Sequence, residues 1–591
     1  MIADVVFDIP LDRAFSYLVP AGLTLERGQR VAAPLQGRGR VGVVVALRDG
    51  DPAGLKPVQR AVEPVPVLSA AALELGRWAA DESLSSWGST LLSLLPPPPR
   101  PGAAETVSPP AEPAGAPSRP PELWTDQERD ARLAECLERE SGAALVIAPD
   151  REAVARWARR LDAARLDSGV SEAERRRAWF AASRGRSRVV VGTRSALLAP
   201  LPPPTTLVLL DEHDPAHKPP GAPRLHSRDL LGKRAALDGS RLLLLSATPS
   251  VETWWRAENR QILRPEATVA AWPEIITADT RGILRNHPLT LPLTRAIEDS
   301  ARRGRRTALI VSRRTAALAC EECGTSLRCP ECGVALALSR DRRELRCPLC
   351  ARTDPTPDHC PGCGGHRLSP FGWDAERVQV SVVRRFPRLT VSRQNLEAQV
   401  VIGTPALLRA MPARSLGAVG IVALDGLLRV PDFRAGERAW RLLWEAAEAV
   451  ATDGRVIVQT QHPEHYAIRS VQAQDRASFY VEEVRFRSEL GYPPFRRLCE
   501  IGARAREEAR AHALADECAA ALRGIGGLTV YPPAPVGSSA STAARRRRWR
   551  FVVKGPVDLP GLLAPALAPL LGRRRGSAGM IEVEMDPQSN G

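Results

Sequence analysis

The chain runs Leu207-Val208-Leu209-Leu210-Asp211-Glu212-His213-Asp214, four apolar residues and then three acids around a histidine. An apolar run without polar alternation describes a strand covered on both faces, the kind found in parallel sheets flanked by helices. The same pattern recurs outward from it. Ala144-Leu145-Val146-Ile147, Arg188 to Val191 and Leu242 to Leu245 are further short apolar runs, separated by helical segments such as Glu152–Leu161. This alternation predicts a parallel α/β domain over residues 122–275. A second α/β pattern starts near Thr307, is interrupted by cysteines and resumes at Val400-Val401-Ile402. Residues 276–319 and 366–465 are therefore expected to form a second lobe around an insertion at 320–365.

The acidic stretch is one of four short motifs in the first α/β domain. The others are Ile147-Ala148-Pro149, Gly192-Thr193-Arg194-Ser195 and Ser246-Ala247-Thr248-Pro249. In a nucleotide motor, an Asp at such a strand end holds Mg²⁺ and the Glu positions the attacking water. A motor also needs a Gly-rich turn with Gly-Lys-Ser/Thr, whose amides and lysine cradle phosphate. The four lysines are Lys56, Lys218, Lys233 and Lys554, and only Lys233 follows a glycine, with Arg234 after it. No phosphate loop is present. Because Glu140-Ser141-Gly142 runs straight into the Ala144 strand, its flanks are expected to be missing too.

Four Cys-x-x-Cys pairs fill the insertion: Cys320/Cys323, Cys329/Cys332, Cys347/Cys350 and Cys360/Cys363. Each pair grips one face of a tetrahedral ion, and eight thiolates make two closed Cys₄ sites, which are structural because no position is left for a reacting water. Two Zn²⁺ ions are the expected cofactors. The spacing allows two connectivities, consecutive and nested. Ser339 to Glu344 is polar and turn-like between Ala335-Leu336-Ala337-Leu338 and Leu345-Arg346, which reads as a hairpin bringing Cys332 and Cys347 together. That favours nesting, with Cys329, Cys332, Cys347 and Cys350 inside and Cys320, Cys323, Cys360 and Cys363 outside.

At 591 residues the chain should hold several domains. An excess of 82 Lys+Arg over 67 Asp+Glu favours a polyanionic partner, although an arginine-rich composition also follows from coding bias. Met1-Ile2-Ala3-Asp4 does not begin a secretory signal, and no apolar run approaches the ~18 residues of a membrane span, so a cytoplasmic protein with no membrane partner is expected. Val5-Val6-Phe7, Arg30-Val31-Ala32 and Val41 to Leu47, broken by Gly28 and Gly37-Arg38-Gly39, predict a β-rich domain over 1–95, with a helix from Ser69 to Ala80. Residues 96–121, opening on Pro96-Pro97-Pro98-Pro99, read as a linker, and 466–591 as a mixed α+β domain. The fold class is thus α/β multidomain: a small β-rich N-terminal domain, two helicase-like parallel α/β lobes, a zinc-ribbon insertion and a mixed C-terminal domain.

Together these features resemble the primosomal replication-restart (PriA) family of superfamily 2 helicases, over nearly the whole chain. Ile9-Pro10-Leu11 and Phe15-Ser16-Tyr17 are similar to the family's 3′-end-binding domain, and Gly192 to Leu197 with Leu225-His226-Ser227-Arg228-Asp229-Leu230 to its motor lobe. The cysteines follow Ser312-Arg313-Arg314 as the family's do, and Arg545, Arg546, Arg547 and Arg548 before Trp549-Arg550 resemble its basic C-terminal stretch. The resemblance implies the nested zinc pairing. It also places Phe15, Gly37 and Lys56 at positions of the family's 3′-end pocket; as an aromatic and as cations, Phe15 is expected to stack on a terminal base and Lys56, Arg38 and Arg40 to meet phosphate. Several departures stand out. Ser16 replaces an Asp that contacts the 3′ hydroxyl, Asp-Glu-His-Asp replaces Asp-Glu-Glu-His, Ala222-Pro223-Arg224 replaces aromatic residues, and Glu445 to Thr452 replaces the arginine-finger motif. The linker stands where a winged-helix domain is expected.

The expected protein is a replication-restart factor that has lost its motor. It would bind branched or fork DNA and recruit primosome and replication-restart proteins that reload the replicative helicase, with single-stranded DNA-binding protein as a further partner. Asp211, Glu212, Ser246 and Thr248 would be remnants of the motor, and no residue would be catalytic. Two rivals remain: an ATP-dependent 3′-to-5′ helicase with a cryptic nucleotide site, and a zinc-ribbon scaffold for proteins.

Overall fold

The computed structural model describes residues 1–51, 53–99, 119–203, 205–218, 220–265, 271–281, 287–311, 317–320, 322–323, 325–330, 336–338, 343–347, 352–371, 373–428, 430, 432–536, 547–571 and 579–588. Most of the Pro-rich linker, Ser312-Arg313-Arg314, Cys332, Cys350, Arg545, Arg546 and the hairpin tip Ser339–Arg342 lie outside them.

The N-terminal strands form an antiparallel sheet in the order Phe15–Leu18, Ile2–Phe7, Arg38–Arg48, Arg30–Leu35, Arg60–Ala61. The sheet closes on itself. Leu18 N donates to Lys56 O and Val58 N to Leu18 O, both at 3.0 Å, while Ala61 pairs with Val31 on the far strand. Alternate residues such as Ala3, Val5, Tyr17, Val31 and Val44 fill the interior. Two helices follow, Ala70–Ser83 and Trp87–Leu94, capped by the hydroxyls of Ser69 and Ser86. Their buried faces, Leu73 and Leu91 among them, join the core of the first lobe with Val6 and Val43.

That lobe is a six-stranded, all-parallel sheet in the order Glu122–Trp124, Arg241–Leu245, Thr205–Leu209, Ala143–Ile147, Val189–Gly192, Ala164–Leu166. Leu207 and Leu209 face one apolar cluster and Val208 and Leu210 the other, which is why the run carries no polar alternation. The second lobe is also six parallel strands, in the order Glu274–Asp279, Val450–Thr460, Leu416–Ile421, Arg306–Ile310, Val400–Gly403, Val391–Ser392.

Three expected boundaries move. Glu274–Asp279 lies wholly in the second sheet, so the lobes divide before it and not at 275. Ala317–Cys320 pairs with Leu368–Phe371, which extends the cysteine insertion beyond 320–365 at both ends. The helices Tyr466–Gln472 and Arg476–Leu490 put Ile468, Val471, Phe479 and Tyr480 into the second lobe's core, so the C-terminal unit begins after them. That unit is an antiparallel sheet built on Arg497–Ala505, Arg547–Gly555 and Met580–Met585, with the helices Glu508–Arg523 and Leu559–Leu571 contributing Ala515, Leu522, Leu563 and Leu567 to its core. Among the described residues no helix is long and apolar enough to cross a membrane.

Candidate functional site

The lobes meet at the carboxyl ends of the first lobe's strands. There Ser246 N donates to Trp124 O at 3.1 Å, which sets the turn Thr125-Asp126-Gln127-Glu128 beside the Ser-Ala-Thr motif, and the helix Arg129–Arg139 follows. Strand, turn and helix here have the form that phosphate loops use. The expectation that these flanks were missing is therefore corrected: the scaffold stands and the loop's chemistry is replaced. Its strand has only three residues, Glu122–Trp124, too few for a period to show. The turn carries two carboxylates, Asp126, paired with Arg132 at 2.9 Å, and the exposed Glu128.

The acidic motif is committed to internal partners. Glu212 accepts from Ser250 N (3.0 Å), Ser250 Oγ (2.7 Å), Thr253 Oγ1 (2.6 Å) and the Arg228 guanidinium. Burial alone would raise its pKa, but Arg228 and these donors outweigh burial and hold it at about 2. Three of these four bonds fall on Oε1 and one on Oε2, and the side chain is fully buried. Asp211 takes a left-handed backbone, φ 47°, and burial raises its pKa. His213 Nδ1 lies 2.6 Å from Ser246 Oγ, the hydroxyl that also accepts from Thr248 N at 3.1 Å. Asp214 pairs with Arg409 of the second lobe.

The cysteine insertion brings Cys320, Cys323, Cys360 and Cys363 together, with all four sulfurs within 4.8 Å of one another. Cys320 and Cys363 are 3.6 Å apart, Cys323 and Cys360 3.7 Å. A tetrahedron with Zn–S bonds of about 2.3 Å has edges of about 3.8 Å, so this donor set fits Zn²⁺. Glu322 N and Gly362 N donate to Cys320 Sγ and Cys360 Sγ at 3.4 and 3.3 Å, the amide support that thiolates need. Of the other four cysteines, Cys329 and Cys347 are described, both buried among Leu318, Leu336, Leu338 and Leu345. Ala337–Leu338 and Glu344–Arg346 pair antiparallel, as a hairpin.

The DNA-contact candidates fall into two groups. In the N-terminal domain, Gln36 and Gly37 both have positive φ, 51° and 80°, and turn the chain from Arg30–Leu35 into Arg38–Arg48. Arg38, Arg40 and Lys56 are exposed and make no ion pair among the described residues. Phe15 is half-buried, edge-on to Phe7 at 5.9 Å, with the Arg13 guanidinium 4.5 Å from its ring. Sequence reasoning overlooked Asp4, whose Oδ1 accepts from Ser16 Oγ at 2.7 Å across the strand pair, with Arg48 bonded to both. In the C-terminal domain the picture differs. Arg548 bonds Glu500 at 3.3 Å and lies 3.8 Å from Glu582, so it is an internal ion-pair member and not the free cation expected. Arg547 opens the strand Arg547–Gly555, and Trp549 stacks on His512 at 3.9 Å.

One cation passed unweighed in the sequence. Arg194 lines a cavity of about 310 Å³ at the strand ends with Ser168, Thr193, Arg151 and Asp150. It donates to Pro223 O (2.6 Å) and Gly221 O (3.3 Å) and has no carboxylate partner among the described residues. Burial lowers its pKa to about 10.

Two family models match the chain: the PriA 3′ DNA-binding domain over residues 4–96 and the primosomal protein N C-terminal domain over 488–588. The replication restart protein PriA of Treponema pallidum is 26% identical, covering 99% of this chain and 99% of its own length. PriA of Bacillus subtilis is 26% identical over 71% of this chain, and the probable PriA of Deinococcus radiodurans 29% over 75%, but the match spans only 56% and 52% of those proteins. Among solved structures, RecG bound to a three-way DNA junction aligns with 63% of this chain and 42% of its own at TM-score 0.33 and 10% identity. Saccharomyces cerevisiae Dbp5 bound to RNA aligns with 61% of this chain and 83% of its own at TM-score 0.32 and 11% identity.

Proposed function

We propose, from the premise that the chain is a relative of the replication restart protein PriA with that family's 3′ DNA-binding and C-terminal domains, that it binds abandoned or stalled replication forks and assembles restart proteins on them without ATP turnover. The single observation that carries the DNA reading is the 3′ DNA-binding match over residues 4–96, coinciding with a closed barrel on which Arg38, Arg40 and Lys56 are exposed and make no ion pair among the described residues. Phe15 and the Gly37 turn would meet the terminal nucleotide, and Arg38, Arg40 and Lys56 its phosphates. Arg545, Arg546 and Arg547 would add phosphate contacts from the C-terminal domain. Arg194, half-buried and with no carboxylate partner among the described residues, suits a further phosphate. The partners would be fork DNA, primosome proteins and single-stranded DNA-binding protein.

Loss of turnover is supported by the missing phosphate-loop lysine and by Glu212, which is fully buried and bonded by Arg228, Ser250 and Thr253. Two zinc ions would be held by Cys320, Cys323, Cys360 and Cys363, and by Cys329, Cys332, Cys347 and Cys350. Their role would be to stabilise the insertion; structural zinc supplies ~10–16 kcal/mol of folding free energy in small peptides. Fluorescence anisotropy on forks with and without a 3′ end at the branch, combined with an ATPase assay, tests the proposal. We expect preference for the accessible 3′ end and no DNA-stimulated hydrolysis. Equal affinity for forks and plain duplex at every salt concentration would refute fork recognition, and DNA-stimulated turnover abolished by Glu212→Gln would revive the helicase reading.

A further inference from the structure

In a nucleotide motor both lobes turn positive groups toward the cleft, the phosphate cradle from one and the arginine finger from the other, and the nucleotide's negative charge draws them together. Here the facing charges are of opposite sign, and they meet directly. Arg129, the first residue of the helix after the turn that stands in the phosphate-loop place, reaches Glu448 of the second lobe at 3.2 Å and donates to Asp126 O at 2.9 Å. Burial disfavours its charge, but Glu448, Asp130 and Asp211 hold its pKa above the ordinary value. His213 Nε2 lies 3.5 Å from Glu445, and Asp214 pairs with Arg409. Glu445 and Glu448 occupy the stretch that replaces the finger motif.

The rest of the interface is a core. Ala247, Val251 and Trp254 of the first lobe are buried in the same apolar cluster as Trp440, Trp444 and Phe479 of the second. Trp254 stacks on Tyr480 at 4.1 Å, and Tyr480 donates to Pro249 O at 2.6 Å. Arg476 donates to Thr125 O (2.9 Å) and Ala247 O (3.0 Å). Glu252 is gripped by Arg434 at 2.6 Å and lies 3.5 Å from Arg487. Opening this cleft would expose apolar surface and leave several charges unpaired at once.

We infer that the two lobes form one permanently closed body, in which Arg129 and Glu448 hold the lobes together directly where a motor needs a bound nucleotide. The pair acts between lobes and touches no DNA, so this inference stands apart from the fork reading. Hydrogen exchange of the full chain tests it at the amides of Val251–Glu258 and Ala435–Ala449. Wild-type exchange should not change with millimolar Mg·ATP. Arg129→Glu and Glu448→Arg should each speed exchange by about tenfold, a modest share of what losing one partner of a largely buried pair costs. The double variant, with the charges swapped, should restore protection. Wild-type exchange that responds to Mg·ATP would overturn the inference, as would a double variant as loose as either single one. If a single variant fails to fold, the nucleotide comparison and the swap still decide. Fork binding measured on the same preparations reports on the DNA proposal alone.

Discussion

The lobe cleft and the rim of the N-terminal barrel hold charge in opposite ways. In the cleft four charges are matched from within: Glu212 by Arg228, Glu252 by Arg434, Asp214 by Arg409, Arg129 by Glu448. On the barrel rim Arg38, Arg40 and Lys56 stand exposed with no carboxylate against them among the described residues. An internally matched charge strengthens the fold and has little left for a ligand. An exposed, unmatched charge adds little to stability and stays available to an outside anion. The difference teaches where a chain keeps charge available for a ligand, and it can be attacked from both sides.

The largest effect should come from the cleft. Glu212→Ala removes the nearer carboxylate from Arg228, leaving it Asp229 at 3.4 Å, and should cost about 3 kcal/mol, seen as a lower midpoint in denaturant. If the residue served chemistry instead, stability would hardly change. Next is acid. His217 and His226 are buried, and burial lowers both pKa values. The unfolded chain therefore binds more protons, so their contribution is complete above about pH 6.5 and is lost as pH falls below it, at up to about 2.7 kcal/mol per pH unit for two groups. The Glu212 pair responds only below about pH 4.5, so melting between pH 7.5 and 5 reads these two histidines together with His465, whose pKa burial and the nearby His462 and Arg469 lower to about 4. A flat profile there would mean that the two rings are not kept neutral.

The rim should behave in the reverse manner. Arg38→Glu, Arg40→Glu and Lys56→Glu combined should weaken fork binding and make the slope of log affinity against log salt shallower by roughly 2–3. Stability should stay within about 0.5 kcal/mol. A large stability loss would dissolve the contrast. The smallest expected effect sharpens it: Arg548→Ala should leave fork affinity within about twofold, because Glu500 and Glu582 already neutralise that side chain, and should lower stability by about 1 kcal/mol or less.

Much of the architecture is legible locally. The run Leu207–Leu210 announces a strand buried on both faces, because such a strand offers no solvent side on which a polar residue is useful. The Cys-x-x-Cys spacing likewise announces metal-binding chemistry, since two thiolates on one short turn are a local arrangement. The strand Glu122–Trp124 escaped notice because three residues define no period and its glutamate pairs with Arg241 on the neighbouring strand. Helices 466–490 belong to the second lobe and not to the C-terminal unit, which the sequence does not reveal because an apolar face does not say which core it covers.

The sequence by itself determined the classes of element, the eight-cysteine insertion and the absence of a phosphate loop, all of which are properties of residue type and short spacing. Only the tertiary structure decided which charges are spent. Arg129 and Glu448 are far apart in sequence, as are Glu212 and Ser250, and nothing local distinguishes Arg548, neutralised across a sheet, from Arg38, exposed on a turn. Pairing depends on which surfaces the fold brings together, and Coulomb attraction and desolvation act over a few ångströms of space whatever the separation along the chain.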